Sequence, residues 1–193
     1  MKNKITNNLK IIEKNVISLQ DMKFENLIVD ASKIIINSLK KNNKILFCGN
    51  GGSAADSQHL SAELLGQYLK TRQALAAVDL TSNSSLLTSV GNDISFDQVF
   101  SRQISAIGLN GDVLFAITTS GKSKNVLNAI KVAKHKGLKV ILLASEKANK
   151  LKKTVDLFIP SPGNRVDRIQ ETHIMIGHLI CELVEEVLSN DRK

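Results

Sequence analysis

Short apolar runs alternate with polar loops and helical segments from residue 44 onward. The runs cover residues 45–48, 75–78, 113–117, 140–143 and 157–159, and each has the length of one buried strand. Strands that alternate with helices usually form a parallel sheet with helices packed on both faces. The pattern predicts an α/β protein with a three-layer, doubly wound fold around a five-stranded parallel sheet. Ligands of such folds bind at the carboxyl ends of the strands, near the point where the strand order reverses.

Two amphipathic helices are predicted before the first strand, over residues 4–20 and 24–42. Their apolar residues recur at steps of three and four, as one face of a helix requires. This apolar face needs a partner, and the sequence leaves open whether a second subunit or the rest of the chain supplies it. A last helix is predicted over about residues 165–188. Its segment 174–181 is nearly uncharged, so we expect deep burial at a subunit interface.

The chain has 193 residues, of which 42% are hydrophobic and 23% charged, so we expect one globular domain spanning residues 1–193. A chain of this length buries enough apolar surface to fold without disulfide bonds or structural metals. The two cysteines, Cys48 and Cys181, lie in separate apolar runs. This favours two reduced core thiols over a redox pair, and hence a reducing compartment.

The 26 basic and 18 acidic residues give a net charge of +8 that is spread along the chain. Nucleic-acid-binding modules combine basic clusters with stacking aromatic residues, whereas this chain has six Phe, one Tyr and no Trp. An anionic substrate or a solvated lysine-rich surface accounts for the charge, and no nucleic-acid partner is expected. The sequence shows neither a signal peptide nor a window of about 18 apolar residues. We therefore expect a cytoplasmic protein without a membrane partner.

A glycine-rich turn, residues 49–53, follows the first predicted strand. Ser53 and Asp56 have the spacing of a capping box, which predicts a helix from Ser53 to about Leu69. The backbone N–H groups of its first turn would face the loop and bind an anion or a hydroxyl group. The turn also fits the relaxed dinucleotide fingerprint G-x-G-x-x-A. However, an acidic residue is expected about 20 positions later, and Asp79 lies 30 positions beyond the first glycine, which disfavours a dinucleotide.

A second polar turn follows the third predicted strand. It contains four hydroxyl groups within six residues: Thr118, Thr119, Ser120 and Ser123. The sequence Gly121-Lys122-Ser123 is similar to the end of a nucleotide P-loop, but Ala116 replaces the first glycine of that motif. One hydroxyl group would be explained as a helix cap. Four together, at a helix N-terminus, predict a phosphate-binding site.

Four side chains on two predicted helices have the chemistry of a cation site. His59 and Glu63 are four residues apart and share a helix face, whereas Gln170 and His178 are eight apart on the last helix. A buried imidazole needs a hydrogen-bond partner or a metal. If the two helices meet, two imidazoles, a carboxylate and an amide oxygen would surround one cation.

Five blocks, in order along essentially the whole chain, resemble the phosphoheptose isomerases, a family of sugar-isomerase-domain (SIS) proteins. The blocks are residues 49–63, 91–93, 100–103, 118–123 and 168–178. The resemblance implies an SIS sheet in the flavodoxin-like strand order. It also implies a homotetramer with sites at subunit interfaces, in which the helices of residues 1–42 make oligomer contacts.

The resemblance implies an aldose–ketose isomerase that converts D-sedoheptulose 7-phosphate into D-glycero-D-manno-heptose 7-phosphate through an enediol(ate). This reaction is the first step of bacterial ADP- or GDP-heptose synthesis, for lipopolysaccharide or for capsule. One zinc ion per subunit is implied as the cofactor. Two alternatives stay open: a non-enzymatic SIS adaptor that binds the replication initiator protein, and an isomerase of another sugar phosphate.

The resemblance also implies roles for individual residues. Glu63 and His178 would form the acid/base pair, with Asp167 as a further catalytic residue. Zinc would be ligated by His59, Glu63, Gln170 and His178. The substrate phosphate would be held by Thr118, Thr119, Ser120 and Ser123. The sugar would be contacted by Asn50, Gly51, Gly52, Asn92, Asp93 and Gln170. Spacing alone gives no reason to choose Asn92, Asp93 or Asp167, because such residues are common in turns and first helical turns.

The four zinc-ligand positions do not separate an isomerase from an adaptor, because the initiator-binding relatives share them. Residues 166–170 read Val-Asp-Arg-Ile-Gln, as in the isomerases, whereas the initiator-binding relatives resemble Thr-Ala-Arg-Ile-Gln. Asp167 therefore favours the enzyme. Thr118 stands where the isomerases usually have Ser, and Lys122 where Asn is common, but both retain hydrogen-bond donors.

Overall fold

Five parallel strands lie at the centre of the computed structural model, which describes residues 1–190. The strands are β1 (Ile45–Cys48), β2 (Ala77–Asp79), β3 (Val113–Thr118), β4 (Lys139–Ser145) and β5 (Leu157–Ser161). Their order is β2-β1-β3-β4-β5, and every neighbouring pair is parallel. The doubly wound sheet in flavodoxin-like order is thereby confirmed, with the second strand beginning two residues later than predicted.

Seven α-helices surround the sheet within the described residues. They are α1 (Lys2–Ser18), α2 (Met22–Leu39), α3 (Gly52–Leu65), α4 (Ser84–Val90), α5 (Val99–Ile107), α6 (Lys124–His135) and α7 (Val166–Asn190). A π-helical turn, Gly91–Ser95, continues α4, and 3₁₀ turns occupy Phe96–Gln98 and Glu146–Thr154. Among these helices, none combines the length and the apolar character that a bilayer crossing requires.

Successive strand residues point to opposite sides of the sheet. Because both sets of side chains are apolar and buried, helices cover both faces. Ile45 and Phe47 pack with α2, α3 and α7 on one side, and Leu46 and Leu114 pack with α5 and α6 on the other. The predicted three layers are confirmed. The two cysteines lie in opposite layers, buried and unpaired, and burial raises the pKa of both thiols.

The two N-terminal helices differ in what covers their apolar faces. The apolar face of α2, including Phe24, Ile28 and Ile35, is buried in the core of the chain itself. In α1 no residue is buried, and Ile5 and Leu9 are 60% and 59% exposed. The chain therefore supplies the partner for α2, whereas the apolar face of α1 stays partly exposed.

The start and the end of α3 differ from the prediction. The helix begins at Gly52, with Gly51 as its N-cap at φ 57°, a conformation that glycine adopts without strain. No side chain caps it: Ser53 is buried inside the helix, so the predicted capping box is wrong. The helix ends at Leu65 rather than near Leu69, because the following segment bonds to α7 instead of continuing the helix.

Candidate active site

The two polar turns that were predicted to bind substrate follow neighbouring strands. Residues 49–51 follow β1, and residues 119–123 follow β3. The strand order reverses here, because the chain passes from β1 to β2 on one side and to β3 on the other. The turns therefore lie at the position where ligands of doubly wound folds bind.

A pair of amides joins these turns. The Asn50 side chain donates to Asn125 Oδ1 over 2.9 Å, and Asn125 donates back to Asn50 Oδ1 over 2.8 Å. Asn125 Oδ1 also accepts the Val126 N–H over 2.9 Å, and the Asn125 side chain is buried. No local motif marks Asn125 in the sequence, since its partner lies 75 positions away.

The hydroxyl groups of the second turn are oriented by the backbone. Thr118 Oγ1 accepts the Gly121 N–H over 3.3 Å, and Ser120 Oγ accepts the Lys122 N–H over 3.1 Å. Gly121 has φ 63°, and a side chain there would collide with Ala148. Since the oxygens of Thr118 and Ser120 already accept N–H groups, their hydroxyl hydrogens can donate elsewhere. The Ser120 hydroxyl can donate to a bound oxyanion, and that of the buried Thr118 can donate to an oxyanion or to Ser123 Oγ, 3.4 Å away.

Three predicted site residues converge where α3 packs against α7. His59 Nε2 lies 2.8 Å from His178 Nε2 and 3.2 Å from Glu63 Oε1. One ligand atom from each of the three residues lies within 4.8 Å of the others. The cation site predicted from the sequence required these two helices to meet, and they do meet in the structure.

The donor set of this cluster fits zinc. Two imidazole nitrogens and a carboxylate oxygen are common in catalytic zinc sites, whose ligand atoms lie about 3.3 Å apart around a tetrahedral ion. The 2.8 and 3.2 Å separations observed here are close to that value. The side chain of His59 is 47% exposed and that of Glu63 18% exposed, so a cation and a substrate can reach the cluster.

Gln170 belongs to α7, and its side chain packs against the beginning of α3. A Cβ atom on Gly52 would collide with the Gln170 amide, so the absence of a side chain at position 52 makes room for it. Gln170 is two helical turns from His178 along α7. The structure thus places it next to the glycine turn that was predicted to contact the sugar.

Asp56 is a half-buried residue close to the cluster that no sequence motif indicated as a site residue. It lies one turn before His59 on α3, and its Oδ2 atom is buried without a hydrogen-bond partner among residues 1–190. Burial raises the pKa of its carboxyl to about 6, while the nearby His59 lowers it. The helical spacing of Asp56, His59 and Glu63 was the signal that could have identified it.

Tyr68 is a second missed residue. Its ring stacks on the His178 imidazole, with centroids 5.7 Å apart and planes inclined by 21°. Burial, followed by nearby carboxyl groups such as Glu182, raises the pKa of its phenol. Tyr68 therefore borders the cluster from the segment that follows α3.

Asp167, Asn92 and Asp93 are not part of this cluster. Asp167 accepts hydrogen bonds from Arg165 Nε and Nη2, over 3.0 and 2.6 Å, and these bonds hold the pKa of its carboxyl well below the usual range. Asn92 donates to Asp93 over 2.7 Å, and both are exposed. They lie in the π-helical turn that continues α4.

Comparisons with known proteins define the family. A sequence model described as the SIS domain matches residues 12–145, more than half of the chain. The phosphoheptose isomerase of Rhodospirillum rubrum is 52% identical over 161 residues, which are 83% of this chain and 86% of that protein. The chain belongs to the phosphoheptose isomerase family of SIS domain proteins.

Other phosphoheptose isomerases match the chain over nearly its full length. The phosphoheptose isomerase of Clostridium acetobutylicum is 42% identical over 193 residues, covering 100% of this chain and 98% of that protein. The solved structure of phosphoheptose isomerase from Neisseria gonorrhoeae superimposes with a TM-score of 0.89 at 37% identity. It covers 96% of this chain and 98% of that one.

Proposed function

We propose that this protein interconverts D-sedoheptulose 7-phosphate and D-glycero-D-manno-heptose 7-phosphate as an aldose–ketose isomerase. The observation that carries the proposal is the convergence of Glu63 and His178 from two helices. Both helices begin at the carboxyl-terminal end of the parallel strands, and the hydroxyl turn lies at the same end. The membership of the phosphoheptose isomerase family supports the same substrate.

The substrate phosphate binds the turn that precedes α6. Its hydroxyl groups are those of Thr118, Thr119, Ser120 and Ser123. They donate to the phosphate oxygens together with the backbone N–H groups at the start of α6, where the helix dipole favours an anion. The sugar is contacted by Asn50, Gly51, Gly52, Asn92, Asp93 and Gln170. Gly51 and Gly52 carry no side chain, so the sugar can approach the backbone at the start of α3.

Moving the carbonyl group from C2 to C1 requires two proton transfers at carbon. A base removes a proton from C1 of the ketose, an enediol(ate) forms, and an acid returns a proton to C2 on one face. Glu63 and His178 form this acid/base pair, because a carboxylate and an imidazole can exchange protons near neutral pH. Their side chains come from different helices, and their ligand atoms lie within 4.8 Å of each other, so both can reach adjacent carbon atoms of one substrate.

We further propose that His59, Glu63, Gln170 and His178 hold one zinc ion. Bound there, zinc would supply Lewis-acid stabilisation of the negative charge that develops on the substrate oxygens. Asp167 is the further catalytic residue of the proposal. Its ion pairs with Arg165 and Arg168 keep it ionised, so at neutral pH it accepts hydrogen bonds from sugar hydroxyls rather than donating protons.

The proposal includes a cytoplasmic homotetramer. The exposed apolar side chains of α1, among them Ile5, Leu9 and Ile17, support contacts between subunits. In this assembly the helices of residues 1–42 would lie at the interfaces, and the sites would lie next to them.

Incubation with sedoheptulose 7-phosphate in deuterated water, with and without a chelator, tests the reaction. We expect heptose 7-phosphate with solvent deuterium at C2, because the protonated acid/base pair exchanges with water before it returns the proton. Folded protein that gives neither product nor deuterium would contradict the proposal. Product without deuterium would show that hydrogen is transferred internally, without exchange with solvent.

A further inference from the structure

A buried ion pair lies beside the cluster, between the segment that follows α3 and the helix α7. The Arg72 and Glu185 side chains are 4% and 2% exposed, and Arg72 Nε donates to Glu185 Oε1 over 2.9 Å. Glu185 also accepts three successive backbone N–H groups, those of Tyr68, Leu69 and Lys70, over 3.1, 2.7 and 2.9 Å. The carboxylate therefore holds the backbone of residues 68–70 against α7.

The Arg72 guanidinium also holds the end of α3. It donates to the carbonyl oxygen of Glu63 over 2.6 Å and to that of Leu64 over 2.9 Å. A further bond of 3.0 Å joins it to the carbonyl of Gln73. Carbonyl groups in the last turn of a helix have no partner within the helix, so this side chain satisfies them. The last turn of α3, which contains Glu63, is thereby tied to α7 through one ion pair.

The charges of this pair are compensated within the protein. Burial alone would raise the pKa of Glu185, but the backbone N–H groups of residues 68–70 and Arg72 outweigh it and lower the pKa. Both groups are therefore charged. Removal of one partner from a buried pair leaves the other charge without compensation, so the geometry held by the pair changes.

Two of the residues held by this pair, Tyr68 and Glu63, contact or belong to the cluster. Tyr68, whose N–H binds Glu185, stacks its ring on His178. Glu63, whose carbonyl binds Arg72, supplies the carboxylate of the cluster. His178 itself lies seven residues before Glu185, two turns along the same face of α7.

We propose that Glu185 and Arg72 are positioning residues, which fix Glu63 and the Tyr68 ring relative to His178 and so set the geometry of the cation and acid/base site. This inference rests on the function proposed above. Neither residue touches the substrate. They act through the end of α3 and through the Tyr68 ring.

The variant Glu185→Gln tests the inference, because it keeps the side-chain shape and removes the charge. Glu186→Gln is the matched control, since Glu186 is an exposed neighbour on the same helix. The readouts are the zinc affinity of the purified protein, measured by competition with a chelator, and kcat and KM for sedoheptulose 7-phosphate. We expect Glu185→Gln to lose about 10–100-fold in zinc affinity, as removal of a group that orients metal ligands typically does. We also expect kcat to fall more than KM rises.

A Glu185→Gln protein with the zinc affinity and kcat of Glu186→Gln, whether or not its melting temperature falls, would overturn the inference. Wild-type protein that binds no zinc would instead contradict the proposed zinc site. If Glu185→Gln does not fold, Tyr68→Leu and Tyr68→Phe give the same test. Phe keeps the ring on His178 and should rescue the zinc affinity that Leu loses. Equal zinc affinity in both Tyr68 variants and wild type would overturn the inference.

Discussion

The Asn125 side chain lies in the interior between the two substrate turns. It exchanges two hydrogen bonds with Asn50, and a third fixes its own orientation through the Val126 N–H. The two amides therefore bond to each other, with Asn125 buried and Asn50 half-buried. The turn after β1 and the turn after β3 consequently keep one relative position.

Asn125→Ala should weaken both stability and substrate binding. The substitution leaves the half-buried Asn50 amide without its partner; a fully buried amide would lose about 1–3 kcal/mol, and Asn50, which water can reach, should lose less. We expect a lower free energy of unfolding in urea and a higher KM for sedoheptulose 7-phosphate. The control is Asn128→Ala. Asn128 lies on the same helix as Asn125, and the substitution removes one hydrogen bond, to the Asp97 carbonyl. An unchanged KM in Asn125→Ala would show that the pair does not hold the turns.

At the level of elements, the start of α3 joins the glycine turn to α7. The helix begins without a side-chain cap, and its first residue, Gly52, packs directly against the Gln170 amide. The close approach of the two helices at this end thus depends on a missing side chain.

Gly52→Ala should displace Gln170, because the added methyl group would occupy the position of its amide. We expect kcat/KM to fall by about 10–100-fold, the range typical for disturbed metal or substrate ligands. Gly91→Ala is the matched control, since a methyl group there makes only an ordinary contact with the Phe96 ring. If Gly52→Ala keeps the kcat/KM of the wild-type protein, Gln170 is not a functional residue of the site.

The elements themselves were largely readable from the sequence, because strands and helices have different local periodicities. All five apolar runs became strands, and the predicted N-terminal and C-terminal helices were displaced by only a few residues. The boundaries of α3 were missed for two reasons. Its start depends on the backbone conformation of Gly51, and its end on Glu185, which is more than 110 positions away in the chain.

Site residues could be predicted from the sequence only where they lie close together along the chain. His59 and Glu63 share one helix face, and the hydroxyl turn is continuous in sequence. The contact of His59 with His178 spans 119 positions and depends on how α7 packs on α3. Tyr68, Asn125 and the Arg72–Glu185 pair form no local motif, so only the tertiary structure reveals them.

At the level of the whole molecule, the loss of stability in acid should depend on His173. This residue is fully buried on α7, and neither ring nitrogen finds a hydrogen-bond partner among the described residues. Burial lowers the pKa of its imidazole from 6.5 to about 3. The folded state therefore binds one proton fewer than the unfolded state over this interval, so acid lowers the free energy of unfolding.

His173→Leu should reduce this sensitivity to acid. Between about pH 6.5 and about pH 4, the wild-type free energy of unfolding should fall with decreasing pH more steeply than that of the variant, by up to about 1.4 kcal/mol per pH unit. Urea unfolding at several pH values measures both slopes. Parallel slopes in the two proteins would show that His173 is protonated in the folded state.

The cluster shared by α3 and α7 is the reaction centre that we propose, and the variant Glu63→Gln tests this assignment. The amide keeps the shape of the carboxylate but cannot remove a proton. We predict that turnover of sedoheptulose 7-phosphate falls by a factor of about 10²–10⁴, the usual contribution of a positioned acid or base. Substrate binding, measured by calorimetry on the folded variant, should persist. Near-normal turnover by Glu63→Gln would contradict the account.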